Sequence, residues 1–189
     1  MSAFKGVLMQ MFGRPHGVLG RLGGVVMAKT NQPCAAWVVD LLEIRGTDSV
    51  LEVGFGPGVG IQLLAASAKH IAGIDPSPEM LRQATVRNAQ AIDCGQVDLR
   101  IGSAERLPFE ENTFDKALTI NSMQVWPDAT AGLIEMQRVM KSGARIALGF
   151  TLHSGQQRSG LVERLAVAGF AEAKVIETDN AFCAIAAKP

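Results

Sequence analysis

The chain has 189 residues, enough for a single domain with a substantial buried core. Its 18 lysines and arginines are matched by 18 acidic residues, so no net positive charge favours binding to the backbone of nucleic acid. The three cysteines lie far apart in the sequence and match neither a zinc nor a disulfide spacing. We therefore expect a cytoplasmic protein without a bound metal, whose substrate is not a nucleic acid.

The N-terminal segment differs from the rest of the chain in its charge. Residues 1–39 contain four basic side chains and no acidic one, with an apolar cluster at residues 7–12. No apolar run is long enough to predict a membrane span. We expect residues 1–45 to form an N-terminal helical cap or arm. This arm is interpreted as a lid over the active site, as a weak contact with a membrane surface, or as a solvated arm packed on the domain.

Regular structure is predicted from Asn31 onward, with Pro33 in the first turn of a helix. Proline fits the first turn of a helix, and Trp37, Val38, Leu41 and Leu42 follow it at helical spacing. Seven strands then alternate with helices. The strands are predicted at residues 49–53, 70–75, 97–101, 114–121, 144–150, 173–179 and 181–187.

This alternation predicts a doubly wound α/β fold, in which a seven-stranded and mainly parallel sheet carries helices on both faces. Ser77, with Pro78 in the following turn, is predicted to cap one of the crossover helices. Only residues around Asn180 separate the last two strands, which is too short for a crossover, so the last strand should run antiparallel. The sheet is expected to make one domain of residues 46–189.

A glycine-rich turn follows the first strand. Ligands bind such sheets beyond the carboxyl ends of the strands. The first strand ends near Glu52, and Gly54, Gly56 and Gly58 follow, so that backbone N–H groups can approach an anionic group of a ligand. Asp75, at the end of the second strand, can accept two hydrogen bonds from ribose hydroxyls. The combination predicts a cofactor that contains a nucleoside.

The spacing of the glycines bears on which cofactor this is. Dinucleotide-binding turns have the pattern Gly-x-Gly-x-x-Gly, whose third glycine permits close packing beside the pyrophosphate. Here the third position is Val59 when counted from Gly54, and Ile61 when counted from Gly56. No Gly-Lys-Ser/Thr follows, so a phosphate-binding loop of the Walker type is also disfavoured.

Several motifs in a fixed order carry a family resemblance. They are Glu52-x-Gly54-x-Gly56-x-Gly58, then Gly73-Ile74-Asp75-Pro76-Ser77-Pro78-Glu79-Met80-Leu81, then Ala104-Glu105-Arg106-Leu107-Pro108-Phe109 with Phe114-Asp115, and finally Arg138-Val139-Met140-Lys141-Ser142-Gly143. Over residues 46–189 the chain resembles the class I S-adenosylmethionine-dependent methyltransferases, which have a Rossmann-like fold. It is most similar in character to the small-molecule enzymes of ubiquinone and menaquinone biosynthesis.

The resemblance implies roles for individual residues. The glycine turn would face the methionine part of S-adenosylmethionine, Asp75 would hold the ribose diol and Met80 would pack near the adenine. Ser103 stands where many relatives carry aspartate, which leaves the adenine amino group to a backbone contact or to Glu105. The alternative role of Met80 is packing in the core, and the alternative role of Glu52 is bracing of the turn. The residues implied to bind the cofactor are Glu52, Gly54, Phe55, Gly56, Gly58, Asp75, Pro76, Met80, Ser103, Ala104, Glu105, Asn121 and Ser122.

The acceptor side of the reaction is less defined by the sequence. Methyl transfer from a sulfonium is an in-line displacement, so the enzyme mainly has to align the nucleophile, the methyl carbon and the sulfur. A general base would assist a hydroxyl or a carbon acid, and His153 and then His16 are the candidates, both also for substrate binding. Trp126 either forms a wall of the acceptor pocket or packs in the core.

Little chain remains after Phe150 to cover an acceptor, so the cover is expected to come from residues 1–45 or from another subunit of a homo-oligomer. The composition of that segment suits a small acceptor that is apolar, lipid-like or quinone-like, with S-adenosylhomocysteine as the second product. Two alternatives stay open. One is a dinucleotide-dependent enzyme or another transferase on the same sheet, and the other is a protein that binds S-adenosylmethionine without turnover.

Overall fold

A computed structural model describes residues 17–189, without the side chains of residues 17–22, 25 and 26. Residues 1–16 of the basic N-terminal arm, including His16, lie outside the described residues. The helices are α1 (Gly17–Leu41), α2 (Val59–Leu64), α3 (Pro78–Arg87), α4 (Ala89–Asp93), α5 (Ala129–Val139) and α6 (Leu161–Val167), with a 3-10 turn at Met123–Val125. The strands are β1 (Ser49–Val53), β2 (His70–Asp75), β3 (Val97–Ile101), β4 (Phe114–Ile120), β5 (Met140–Thr151), β6 (Ala171–Glu177) and β7 (Ala181–Ala187).

The seven strands form one sheet in the order β3-β2-β1-β4-β5-β7-β6. The pairs among β1 to β5 are parallel, whereas β7 runs antiparallel to both β5 and β6. The predicted fold class is therefore confirmed, including the reversal of the last strand. The strand order changes direction between β1 and β4, which is where open α/β sheets bind ligands.

Two strand boundaries differ from the prediction because of irregular pairing. β5 begins at Met140 instead of 144, since Met140 pairs with Phe114 before the register shifts at Lys116. β6 begins at Ala171 instead of 173, again next to a register shift. Such bulges interrupt the period-two pattern from which strand ends are predicted.

The first helix begins far earlier than predicted. Pro33 lies inside α1, sixteen residues after its start at Gly17, so the prediction that the helix begins there was wrong. Proline removes the hydrogen bond that its N–H would have made to the carbonyl of Lys29. Both residues are exposed, so water can satisfy that carbonyl. The opposite side of the helix is buried and packs against the sheet, with Val38 contacting the backbone of Gly149 in β5.

The helices cover both faces of the sheet. On one face the core contains Leu133 of α5 and Leu165 of α6, and on the other it contains Val38 of α1, Ile61 of α2 and Met80 of α3. Successive strand residues point to opposite faces, so β1 contributes to both cores. Ser77 caps α3 as predicted, because its hydroxyl accepts from the backbone N–H of Met80 at 3.3 Å.

Gly58 is a test of how tightly the glycine turn packs. Its φ is +81°, and an added Cβ would lie 2.8 Å from the Cβ of Ala84 in α3. We expect Gly58→Ala to lower the free energy of unfolding by about 2–5 kcal/mol, the sum of the left-handed backbone cost and of overpacking. Urea denaturation measures this change.

Gly143→Ala is the matched control. Gly143 has a similar φ of +77° but no heavy atom within 4 Å of its added Cβ. Only the backbone cost of about 1–2 kcal/mol should remain. Equal losses in the two variants would show that Gly58 is not packed against α3.

Candidate active site

A cavity of about 540 Å³ opens at the carboxyl ends of β1, β2 and β4. This volume is in the range of small-molecule sites, roughly 300–1,000 Å³. Of the thirteen residues that the sequence indicates for the cofactor, all but Gly58 line the cavity. Its other lining residues are Met27, Asn31, Ala35, Val53, Pro57, Val59, Gly60, Ile74, Ser77, Pro78, Gly102, Ile120, Val125, Trp126 and Pro127.

The carboxylate of Asp75 fixes the glycine turn. It accepts the backbone N–H of Gly56 and the backbone N–H of Ser77, both at 2.9 Å. The N–H of Gly54 donates to the carbonyl of Ile74 at 2.7 Å. The contacts of Gly54 and Gly56 join the segment after β1 to the end of β2, and the contact of Ser77 joins the end of β2 to the start of α3. The turn is therefore held open by the same side chain that is implied to bind ribose.

Glu52 lies beside this turn with almost no exposure to solvent. Only 2% of its surface is exposed, and its Oε2 has no hydrogen-bond partner among the described residues. Its carboxylate packs against Gly60 at a distance that leaves no room for a Cβ there. A buried and unpartnered acceptor atom that faces a cavity is costly unless a ligand donates to it.

Burial changes the acidity of both carboxyl groups. Burial, together with the smaller effect of the negative charge of Asp75, raises the pKa of Glu52 to about 8, although the backbone N–H of Ile61 opposes the rise. Burial also raises the pKa of Asp75, although the N–H groups of Ser77 and Gly56 oppose this. The negative charge of Asp75 thus favours the protonated form of Glu52.

A second set of lining residues follows β2 and β3. Met80 is 1% exposed and Ala104 is 5% exposed, so both contribute mainly apolar surface. Glu105 accepts the backbone N–H of Asp128 at 3.2 Å, which ties it to the start of α5. Ser103 forms an isolated bridge with Arg106. This part of the cavity presents a flat apolar wall with backbone groups at its edge.

Asn121, at the end of β4, links three elements. Its φ is +49°, a left-handed conformation that asparagine tolerates better than most residues. Its Oδ1 accepts the backbone N–H of Thr151 at the end of β5, at 2.8 Å. Its Nδ2 donates to Oδ1 of Asn31 in α1, at 3.0 Å. The side chain therefore fixes α1 over the ends of β4 and β5.

Trp126 is held at the same end of the sheet. Its indole N–H donates to Oγ of Ser122 at 2.9 Å, and Ser122 lies so close to Gly54 that no Cβ would fit on that glycine. The ring also packs against Gly132 of α5. Trp126 thus lines the cavity and packs on the core, so both interpretations of the sequence describe part of its position.

α1 contributes lining residues that the sequence analysis missed. Met27, Asn31 and Ala35 are spaced by four residues and lie on one side of the helix. That spacing is the signal that indicates a common face. This face of α1 was overlooked because Pro33 was predicted to lie in the first turn of the helix.

Two predicted residues lie away from the cavity. His153 is exposed in the turn after β5 and does not line the cavity. Gly58 packs against α3 instead. His16 lies outside the described residues. Within residues 17–189, the described lining includes no lysine, arginine or histidine.

Neither a metal site nor a membrane span is found in the part of the chain that the structure describes. Its His, Cys, Asp and Glu side chains form no group of three that would hold a metal ion. None of its helices has the length and apolar character needed to cross a bilayer.

The sequence of the chain is similar to those of known methyltransferases. Residues 51–148 match the family model described as a methyltransferase domain. The uncharacterized methyltransferase YdaC of Bacillus subtilis is 31% identical over 185 residues, which cover 89% of this chain and 98% of that protein. The ubiquinone/menaquinone biosynthesis C-methyltransferase UbiE of Citrifermentans bemidjiense is 30% identical over 115 residues, covering 59% of this chain and 49% of that protein.

A solved structure shares the fold. It is a methyltransferase of Haloferax volcanii in complex with the Trm112 methyltransferase activator, with a TM-score of 0.76, 18% identity and coverage of 90% of this chain and 94% of that one. The sheet order, the cavity at its switch point and the match over the central half of the sequence agree with one another. The chain belongs to the class I S-adenosylmethionine-dependent methyltransferases.

Proposed function

We propose that the protein transfers the methyl group of S-adenosylmethionine to a small, largely apolar acceptor bound between the end of β4 and α1. The observation that carries this proposal is the pair of buried carboxylates, Glu52 and Asp75, in a cavity at the switch point of the sheet. S-adenosylmethionine combines a sulfonium and an ammonium with a single carboxylate, so it complements an acidic cavity. A pyrophosphate would be repelled by the same two groups.

Each carboxylate has a distinct role in this proposal. Asp75 accepts the two ribose hydroxyls with the lone pairs that Gly56 and Ser77 leave free. Glu52 offers its unpartnered Oε2 to the ammonium group of the methionine part. The glycine turn and Asn121 with Ser122 then enclose that part from two sides. The adenine lies along Pro76, Met80 and Ala104.

The reaction requires alignment more than a catalytic side chain. The methyl carbon passes from the sulfonium sulfur to the nucleophile of the acceptor, and S-adenosylhomocysteine leaves uncharged at sulfur. Holding the two reactants in line can recover roughly 7–11 kcal/mol of the barrier. An acceptor that loses a proton delivers it to water at the mouth of the cavity. No histidine among the lining residues of the described chain is available to take it.

The two parts of the chain have separate tasks under this proposal. Residues 46–189 bind the cofactor, and residues 1–45 supply α1 as the acceptor-side wall. Because α1 already covers the cavity, a second subunit is not needed to close it. The similarity to UbiE, whose name describes a C-methyltransferase of quinone biosynthesis, supports a quinone-like acceptor as one member of the proposed class.

Asp75→Asn tests the cofactor assignment. The substitution preserves shape but removes the charge and half of the acceptor capacity, so we expect binding of S-adenosylhomocysteine to weaken by roughly ten- to 150-fold, about 1.5–3 kcal/mol. Isothermal titration calorimetry measures the change. The control is Asp93→Asn on the exposed surface of α4, which should bind as the wild type does. Unchanged affinity of the Asp75 variant would remove ribose from its role.

Glu52→Gln tests the raised pKa of Glu52. A carboxyl with a pKa of about 8 in the folded protein and about 4.5 in the unfolded chain stays protonated only when folded. Between these values the folded state holds the extra proton, so stability is lost as pH rises. The free energy of unfolding of the wild type should therefore fall relative to the variant by up to about 1.4 kcal/mol per pH unit. Urea denaturation across this range measures it, and parallel pH profiles for the two proteins would contradict it.

Transfer itself is tested with a labelled methyl group. Fractions of cell extract are incubated with the protein and S-adenosylmethionine that carries a radioactive methyl group. We expect label in a low-mass, organic-extractable product and release of S-adenosylhomocysteine in equal amount. Label only in protein or RNA would overturn the acceptor class. Binding of the cofactor without any transfer would favour the alternative of a non-catalytic binding protein.

A further inference from the structure

A side-chain donor that lines the cavity from α1 has no hydrogen-bond partner among the described residues. Asn31 lines the cavity from α1, between Met27 and Ala35. Its Oδ1 accepts from Nδ2 of Asn121 at 3.0 Å. The described residues provide no hydrogen-bond acceptor for its Nδ2. A carboxamide whose oxygen is occupied presents its two N–H donors to whatever binds beside it.

The orientation of this carboxamide follows from the backbone. The N–H of Thr151 is a donor only, so the atom of Asn121 that faces it at 2.8 Å must be the oxygen. The other side of Asn121 is then Nδ2, which donates, and so the atom of Asn31 that it meets must be Oδ1. The Nδ2 of Asn31 is left over. A single backbone group at the end of β5 thus fixes a donor on α1.

Most of the other residues that line the cavity on the side of α1 are apolar. Met27, Ala35, Val125 and Trp126 line the cavity on the acceptor side, and Ile120 lies at the end of β4. A hydrogen bond made in such surroundings discriminates strongly against ligands that lack the matching group. The charged side chains of the lining, within the described residues, are Glu52, Asp75 and Glu105, all of which would repel an anion.

We propose that Nδ2 of Asn31 donates a hydrogen bond to a neutral oxygen of the methyl acceptor, so that the acceptor class is an apolar ring or chain with a carbonyl, ether or hydroxyl oxygen. This inference rests on the proposed function, because it assumes that the cofactor occupies the turn and leaves the α1 side for the acceptor. Asn31 is a positioning residue that sets substrate specificity. The methyl transfer itself does not pass through it.

Matched probe ligands test this proposal. The probes are three molecules of nearly the same shape. 1-Indanone accepts a hydrogen bond, indane neither accepts nor donates one, and protonated 1-aminoindane only donates. Ligand-observed NMR measures the affinity of each for the protein saturated with S-adenosylhomocysteine. The wild type should bind 1-indanone about three- to tenfold more tightly than indane, the usual net worth of one hydrogen bond.

Variants separate the donor from the fold of α1. Asn31→Asp keeps an oxygen for Asn121 but replaces the donor with an acceptor. This variant should therefore lose the preference for 1-indanone over indane and should bind 1-aminoindane more tightly than 1-indanone. Asn31→Ala should bind 1-indanone and indane equally. Gln32→Ala, on the exposed side of the same helix, should keep the preference of the wild type.

The outcomes also separate this proposal from the one it rests on. If S-adenosylhomocysteine does not bind the wild type, the proposed function fails. If it binds and the Asn31 variants lose affinity for it, Asn31 contacts the cofactor and the acceptor assignment is overturned. Equal binding of 1-indanone and indane by the wild type, or no binding of either, would also overturn it. If Asn31→Asp still prefers 1-indanone over indane, the acceptor assignment is also overturned.

Discussion

The hydrogen bond from Gly56 N–H to the Asp75 carboxylate is the contact on which the site depends. It joins the turn after β1 to the end of β2, and the same carboxylate also accepts from Ser77 at the start of α3. The turn after β1, the end of β2 and the start of α3 are thereby joined at the Asp75 carboxylate. Because that group is buried, its lone pairs are directed either at the backbone or into the cavity. Under the proposed function, the Asp75 carboxylate therefore accepts hydrogen bonds both from the backbone of the fold and from the cofactor.

A second linkage organises the opposite side of the cavity. Asn121 joins β4 to β5 through Thr151 and to α1 through Asn31. The contact between Gly56 and Asp75 spans 19 residues of the sequence, whereas the contact between Asn31 and Asn121 spans 90. A change on α1 can therefore alter the acceptor chamber while the glycine turn is preserved. This arrangement suits a fold that supports many acceptors with one cofactor.

The sequence predicted the sheet well, for identifiable physical reasons. Short apolar runs between glycines and prolines indicate buried parallel strands, and the short connection near Asn180 leaves only a hairpin. Ser77 was recognised as a cap because its position before Pro78 is typical of one. The turn and Asp75 were recognised because they follow consecutive strands that must end at the same edge.

The individual residues of α1 that line the cavity were not predicted, and the reasons are equally physical. Pro33 indicated a helix start, but an exposed proline is tolerated within a long helix when its lost hydrogen bond faces water. With the helix start misplaced, Met27 and Asn31 lay at or before that start, within the predicted helical cap or arm, and were not assigned to a side that faces the cavity. The bond between Asn31 and Asn121 depends on tertiary packing that no local pattern contains. Gly58 was grouped with the turn, although its small size is needed by α3 instead of by the cavity.

A crystal structure of the protein with S-adenosylhomocysteine tests the central claim most directly. The account predicts the ribose hydroxyls within hydrogen-bond distance of Asp75 and the amino group of the homocysteine part near Oε2 of Glu52. The sulfur should face an open space bounded by Asn31 and Trp126. Cofactor density outside the cavity, or with the ribose turned away from Asp75, would contradict the account.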